Sequence, residues 1–183
     1  MTALHEDARE VLNGWPAPTA EQASLRQEYV DHLTRHPDGC SRSCFPDHIT
    51  ASAAVLSADL SQALLTLHAK AHAWFQLGGH CEADDATLAA AAAREAREES
   101  GVADLVVDTE PVHLDAHLVG FCDPRGPVRH LDVRFLAVAA PGASPTVSAE
   151  SHDVRWWPVE ELPTQEPGVV ELVRLALSRA RRL

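Results

Sequence analysis

An α/β domain preceded by a helical extension is predicted by three observations on this 183-residue sequence. Apolar runs such as "HITASAAVLS", "ALLTLHAK" and "AWFQLGGH" have the length and composition of strands, and the last of them enters a Gly-Gly pair. "DATLAAAAAREAREES" comes next as the strongest helical stretch of the chain and stops at Gly101. Two segments with period-two alternation then flank a Pro- and Gly-bearing connection.

Taken in order, "AEQASLRQEYVDHLTRH" places Leu25, Tyr29 and Leu33 at four-residue spacing, an amphipathic helix with Thr19 as its cap. Asn13-Gly14 and two prolines before it read as loop, and "HPDGCSRSCFPDH" after it as an irregular connection. Residues 1–47 thus form an N-terminal helical extension packed on a core domain of residues 48–183. Within that core, "VADLVVDTEPVHLDAHLVGF" and "VRHLDVRFLAVAA" should pair antiparallel through "FCDPRGPVR". "PGASPTVSAESHD" reads as a polar loop, "VRWWPV" as a short strand, and "GVVELVRLALSRARR" as a closing helix with Val170, Leu172, Leu175 and Leu177 apolar.

A 45% hydrophobic content suffices to bury a core in one unit. The formal charge of −12 excludes broad contact with nucleic acid. There is no basic start with an apolar run behind it, and no stretch approaches the roughly 20 apolar residues of a membrane span, so a soluble cytoplasmic protein is expected. The four cysteines, Cys40, Cys44, Cys81 and Cys122, read as reduced thiols. If the ligand of so acidic a protein is itself anionic, something cationic must stand between them.

The helix ending at Gly101 supplies a candidate place for that cation. At about 100° per residue, Glu95, Glu98 and Glu99 fall within an arc of about 100°. Like charges at such spacing repel, and a divalent cation removes the objection. Hard oxygen donors suit magnesium, or manganese as the alternative. Ala89, Ala93 and Ala96 form a small-residue stripe that would let the helix lie close to a sheet, and Arg94 stands four residues before Glu98.

The stretch "GGHCEADDATLAAAAAREAREESGV" resembles the Nudix box of the Nudix hydrolases, in which a Gly and an acidic residue precede Arg-Glu, Glu-Glu, Gly and an aliphatic at fixed spacing. Gly79, Asp85, Arg94, Glu95, Glu98, Glu99, Gly101 and Val102 occupy those positions. Asp85 replaces Glu, Ala96 replaces a larger aliphatic, and the gap from Asp85 to Arg94 is one residue longer than the pattern, which leaves open whether Asp85 braces Arg94. Strands before the box and "VRWWPVEELP" after it extend the resemblance over residues 48 to 165.

The resemblance implies an α/β/α sandwich with a mixed β-sheet, and magnesium- or manganese-dependent hydrolysis of the pyrophosphate in a small-molecule nucleoside diphosphate derivative. It implies metal ligation by Glu95, Glu98, Glu99 and the backbone at Gly79, with Glu98 the candidate for orienting or deprotonating water and Glu150 a candidate acidic residue from outside the box. Asp85, Arg94 and Gly101 would be structural positions of the motif.

For the substrate, His113, Asp115 and His117 share one strand face and His130, Asp132 and Arg134 another, so paired strands could line a cleft. Arg134 is the candidate phosphate fork, with His130 and Asp132 on its strand face, and His80, just after the glycine pair, is likewise a candidate near the expected phosphates. Of Trp156 and Trp157, one should pack in the core. His36, Cys40, Cys44 and His48 recur every four residues but lack close CxxC pairs, and they read as thiols and surface histidines rather than a zinc site. Two rival functions stay open: an isopentenyl-diphosphate isomerase-like enzyme, with Cys81 beside His80 as the feature in its favour, and a nucleotide-sensing domain without turnover.

Overall fold

The computed structural model describes residues 2–148 and 151–183. Two helices open the chain. In α1 (Ala3–Gly14) the Thr2 hydroxyl accepts from the His5 amide, and Leu4, Ala8 and Leu12 form its buried face. The sequence reading does not foresee this helix, although its apolar residues recur at four-residue spacing. In α2 (Ala20–Arg35) Thr19 caps the Gln22 amide as expected, and Tyr29 and Leu33 are buried. The linker between them is fixed by Arg26, which donates to the Trp15 carbonyl at 2.8 Å.

Among the described residues eight strands form one mixed sheet: β1 (Asp47–Leu56), β2 (Gln62–His68), β3 (Trp74–Phe75), β4 (Leu77–His80), β5 (Leu105–Val107), β6 (His113–Asp123), β7 (Gly126–Ala139) and β8 (Ser151–Pro158). At its centre β1 and β7 run parallel over ten residue pairs, from Asp47 opposite Arg129 to Leu56 opposite Val138. Along its other edge β1 pairs antiparallel with β4 and then with β2, which continues to β8. Nearly all of β1 is buried, which is why it is built of Ala, Ser, Thr and small aliphatics.

The expected hairpin forms between β6 and β7. Its first arm is not continuous, since the segment around Glu110 and Pro111 interrupts it and leaves β5 as a separate strand on the far part of β7. Likewise "AWFQLGGH" divides at Gln76 into β3 and β4, and both glycines lie within a paired strand rather than a loop.

Helix α3 (Leu88–Ser100) covers one sheet face. Thr87 caps the Ala90 amide, Asp7 of α1 accepts from the Leu88 amide at 2.8 Å, and Gly101 ends the helix at φ 69°. The expected small-residue stripe is buried at Ala93 and Ala96 but only half-buried at Ala89, and Leu88, Ala91 and Ala92 are buried beside it. This helix, α1 and α2 share the larger core with Ile49, Ala51, Ala53, Leu77, Val133 and Phe135. A smaller core lies under α4 (Pro167–Ala180), whose buried residues are Val169, Leu172, Val173 and Ala176, while Val170 faces out. Arg179 ties α4 to Asp108 and Glu110. Helices on both faces of a mixed sheet make an α/β/α sandwich, with the helical extension packed on it. Among the described residues no helix is long and apolar enough to cross a membrane.

Because Ala92 and Ala96 are fully buried where α3 meets the sheet, a larger side chain there must displace backbone. Ala96→Leu is expected to destabilise the protein by about 1–3 kcal/mol, read as a lower urea midpoint, whereas Ala89→Leu should change it by less than about 0.5 kcal/mol.

Candidate active site

The N-terminal end of the site is β4. A side chain at Gly78, whose φ is 155°, would come within 2.2 Å of the Ser52 Cβ on β1. At Gly79 a Cβ would lie 2.7 Å from a Glu95 carboxylate oxygen, so only glycine lets that carboxylate reach the backbone. The Gly78 amide donates to Glu99 at 2.9 Å, which holds this buried carboxylate, 8% exposed, against the strand. Glu98 differs, its side chain 60% exposed at the helix edge. The three glutamates expected on one arc therefore grade from buried to open.

Arg94 organises the carboxylates. Its Nε and Nη2 donate to the two oxygens of Asp85 at 3.1 and 2.9 Å, and Nη2 also donates to the His80 carbonyl at 2.9 Å. Its Nη1 reaches Glu95 and Glu98, each at 2.9 Å. The extra residue before Arg94 is absorbed ahead of the helix, where Asp85 accepts from the Glu82 amide at 2.8 Å. The brace left open by the sequence is thus a bidentate fork. Burial, the largest single influence, raises the Asp85 pKa, but the hydrogen bonds from Arg94 and the Glu82 amide together with the guanidinium charge hold the carboxyl below its usual range; the bonds to Asp85 raise the pKa of Arg94.

One guanidinium faces four carboxylates, Glu82, Asp85, Glu95 and Glu98, with Glu99 behind them. That surplus of negative charge on hard oxygen donors beside an unobstructed glycine backbone suits a divalent cation of the magnesium type. Glu150 lies outside the described residues.

The polar faces of β1, β6 and β7 come together, with His113 opposite Arg134, Asp115 opposite Asp132 and His117 opposite His130. They do not leave an open cleft around Arg134, which is 3% exposed. Its Nε donates to Asp132 at 2.8 Å, Nη2 to Asp115 at 2.9 Å and Nη1 to the Gly168 carbonyl of α4 at 3.0 Å. Asp132 in turn accepts from Thr50 and Ser52. The expected phosphate fork is therefore a buried joint between sheet and helix, because a guanidinium with two carboxylates and a carbonyl in reach is satisfied there.

His80 and His130 lie at the other end of the same face, and each places Nε2 near the Cys122 thiol, at 3.2 and 3.3 Å. Buried His48 completes the group, its ring 5.1 Å from that of His80 and 5.0 Å from that of His130. Burial keeps these imidazoles neutral, with His80 lowered to about 4 and His130 to about 3. The four-residue repeat from His36 to His48 accordingly does not close on itself: His48 turns to the sheet, while His36 and Cys44 gather with Asp38. Sequence reading misses Cys122 in this role. Its position depends on an irregularity of register between Val119 and Asp123 that no local pattern announces. His48 carries a signal, since it is two residues from Thr50 on an alternating strand.

Cys81 is buried in the larger core, and burial pushes its thiol up. Trp156 packs at the edge of that core and donates to the Ala143 carbonyl, while Trp157 meets Trp74 edge to face.

Comparison with known proteins agrees with this architecture. The structure is similar to a NUDIX-family hydrolase from Clostridium perfringens, at 23% identity and a TM-score of 0.59 over 73% of this chain and 97% of that one. It is similar to an Ap4A hydrolase from C. elegans, at 16% identity and a TM-score of 0.55 over 74% and 98%. The E. coli dihydroneopterin triphosphate pyrophosphohydrolase gives 13% and 0.60 over 72% and 95%. At these identities the likeness is one of fold. No curated protein sequence matches significantly. The NUDIX domain family, however, matches residues 46–175, more than half of the chain and the whole of the strand–glycine–helix unit around Arg94, and the chain belongs to that family of hydrolases.

Proposed function

We propose that this protein cleaves the pyrophosphate bond of a nucleoside diphosphate joined to a second group, with magnesium, or manganese in its place, held by Glu95, Glu98, Glu99 and the Gly79 backbone. The observation that carries the reading is the Arg94 fork, which gathers Asp85, Glu95 and Glu98 around one guanidinium at the end of the glycine strand. A metal held there would neutralise phosphate charge and lower the pKa of a bound water.

The chain's own residues set the geometry. Glu99, fixed by the Gly78 amide, and Glu95, pressed to Gly79, present carboxylates whose positions do not depend on solvent. Glu98 is the accessible member and the candidate to orient or deprotonate the attacking water, its orientation limited by Arg94 four residues earlier. Hydrolases similar in fold act on Ap4A and on dihydroneopterin triphosphate, which supports a nucleotide-like substrate class. The isomerase reading loses its motivating feature, since Cys81 is in the core. The retained box carboxylates weigh against a sensing domain without turnover.

The direct test is release of nucleoside monophosphate from a panel of diphosphate-linked nucleosides in magnesium. Glu98→Gln should fold normally and lose about 100-fold or more in kcat; full activity in that variant would remove the assigned role. Binding by calorimetry with no turnover of any panel member would favour the sensing reading.

A second prediction concerns pH. The Asp85 carboxyl is held below its usual 3.8 in the folded protein, so its contribution to stability is complete above about pH 3.8 and is lost as the pH falls through the lower folded value. Asp85→Asn is expected to cost about 1–3 kcal/mol at neutral pH and to lower kcat by loosening Arg94. Urea midpoints of the two proteins should converge only below about pH 3.8.

A further inference from the structure

We propose that His48, His80, Cys122 and His130 form a structural transition-metal site of the zinc class, separate from the box carboxylates. Four ligand atoms, three imidazole nitrogens and one sulfur, lie within 4.8 Å of one another. They come from β1, β4, the end of β6 and β7; strand pairing brings the three histidines together, and the irregularity of register between Val119 and Asp123 carries Cys122 to them. A tetrahedral zinc with bonds of about 2.0 Å to nitrogen and about 2.3 Å to sulfur has nitrogen–sulfur edges of about 3.5 Å. The observed edges to Cys122 are 3.2 and 3.3 Å.

Proton accounting favours a metal over a hydrogen-bonded cluster. One thiol can accept from one imidazole and donate to another, which satisfies His80 and His130. His48 is then left over. Its Nδ1 is engaged with the Cys44 carbonyl at 3.0 Å, so Nδ1 carries the proton and Nε2 carries the lone pair. That Nε2 is buried and, among the described residues, has no hydrogen-bond partner, a state that leaves a polar atom desolvated without compensation. An imidazole anchored through Nδ1–H to a carbonyl and offering Nε2 inward is the arrangement of a zinc-bound histidine.

Two softer elements, imidazole nitrogen and thiolate sulfur, select zinc, cobalt or a similar ion against magnesium, whereas the box offers hard oxygens alone. Four protein ligands fill a tetrahedron and leave no position for substrate, so the site is structural rather than catalytic. Its consequence for the active site runs through His80, whose carbonyl accepts from Arg94. A metal on the His80 ring would pin the end of the glycine strand to which Arg94 is tied.

The test uses full-length protein stripped of metal and titrated with Co2+ in excess Mg2+. The expected result is one equivalent of Co2+ per chain, with visible bands of a tetrahedral ion and a near-ultraviolet thiolate band, both displaced by Zn2+. Cys122→Ser should lose the thiolate band and bind Zn2+ at least about tenfold more weakly, while Cys40→Ser and Glu98→Gln should keep the spectrum. A folded wild-type protein that gives no such bands would overturn the proposal. So would a thiolate band that survives Cys122→Ser, or bands abolished by Glu98→Gln. Because the readout is metal binding rather than turnover, it stands or fails independently of the hydrolase reading.

Discussion

The fork that Arg94 makes with Asp85 is the interaction on which the geometry of the carboxylate site depends. A guanidinium offers five N–H donors in one plane, and here they serve Asp85, Glu95, Glu98 and the His80 carbonyl. These acceptors come from three pieces of backbone, so helix α3, the turn before it and strand β4 are joined through a single side chain. A lysine would place one point charge there and could not hold the two carboxylate oxygens of Asp85 in a plane. Close approach is the other half of the constraint. Alanines on the inner face of α3 and the glycine opposite Glu95 bring helix and strand near enough for the fork to close.

The buried Asp132–Arg134–Asp115 joint has the opposite energetic character. Charges so deep are costly to desolvate, and the group contributes only if its remaining donors and acceptors are met. Thr50, Ser52 and the Gly168 carbonyl meet them. The sheet's polar face is thereby closed at the α4 end, where Arg134 joins Asp132 and Asp115 to the Gly168 carbonyl of that helix. Tyr29 of α2 seals the edge, its hydroxyl donating to the Asp115 carbonyl at 2.8 Å.

Local patterns are enough to read the helix with its Gly101 stop and the β6–β7 hairpin, because each depends on neighbours close in the chain. The carboxylate arc is visible for the same reason, as angular position on a helix is set by spacing. Burial is not visible. Glu99 is enclosed and Glu98 open although they are adjacent, and the difference comes from β4, which meets the helix only in three dimensions. Arg134 misleads for a related reason: alternation places it on the polar face, but the register with Asp115 and the arrival of α4 turn a free fork into a joint. Helix α1 escapes notice because Asn13-Gly14 suggests loop, while the Leu4, Ala8 and Leu12 spacing is present throughout.

Strand alternation also explains how two chemically distinct donor sets can stand so close without competing. On β4, Gly79 looks toward α3 and its glutamates, whereas His80, one residue on, looks to the opposite face with His48 and His130. The sheet itself is the partition. Oxygen donors lie on the side where a hydrated magnesium can keep its waters and meet phosphate, and nitrogen and sulfur donors lie on the side where burial favours an ion that sheds them. A one-residue shift of β4 against β1 would exchange the two faces and destroy both sets. The Gly78–Ser52 contact, too tight for any side chain, is the steric feature that holds this register.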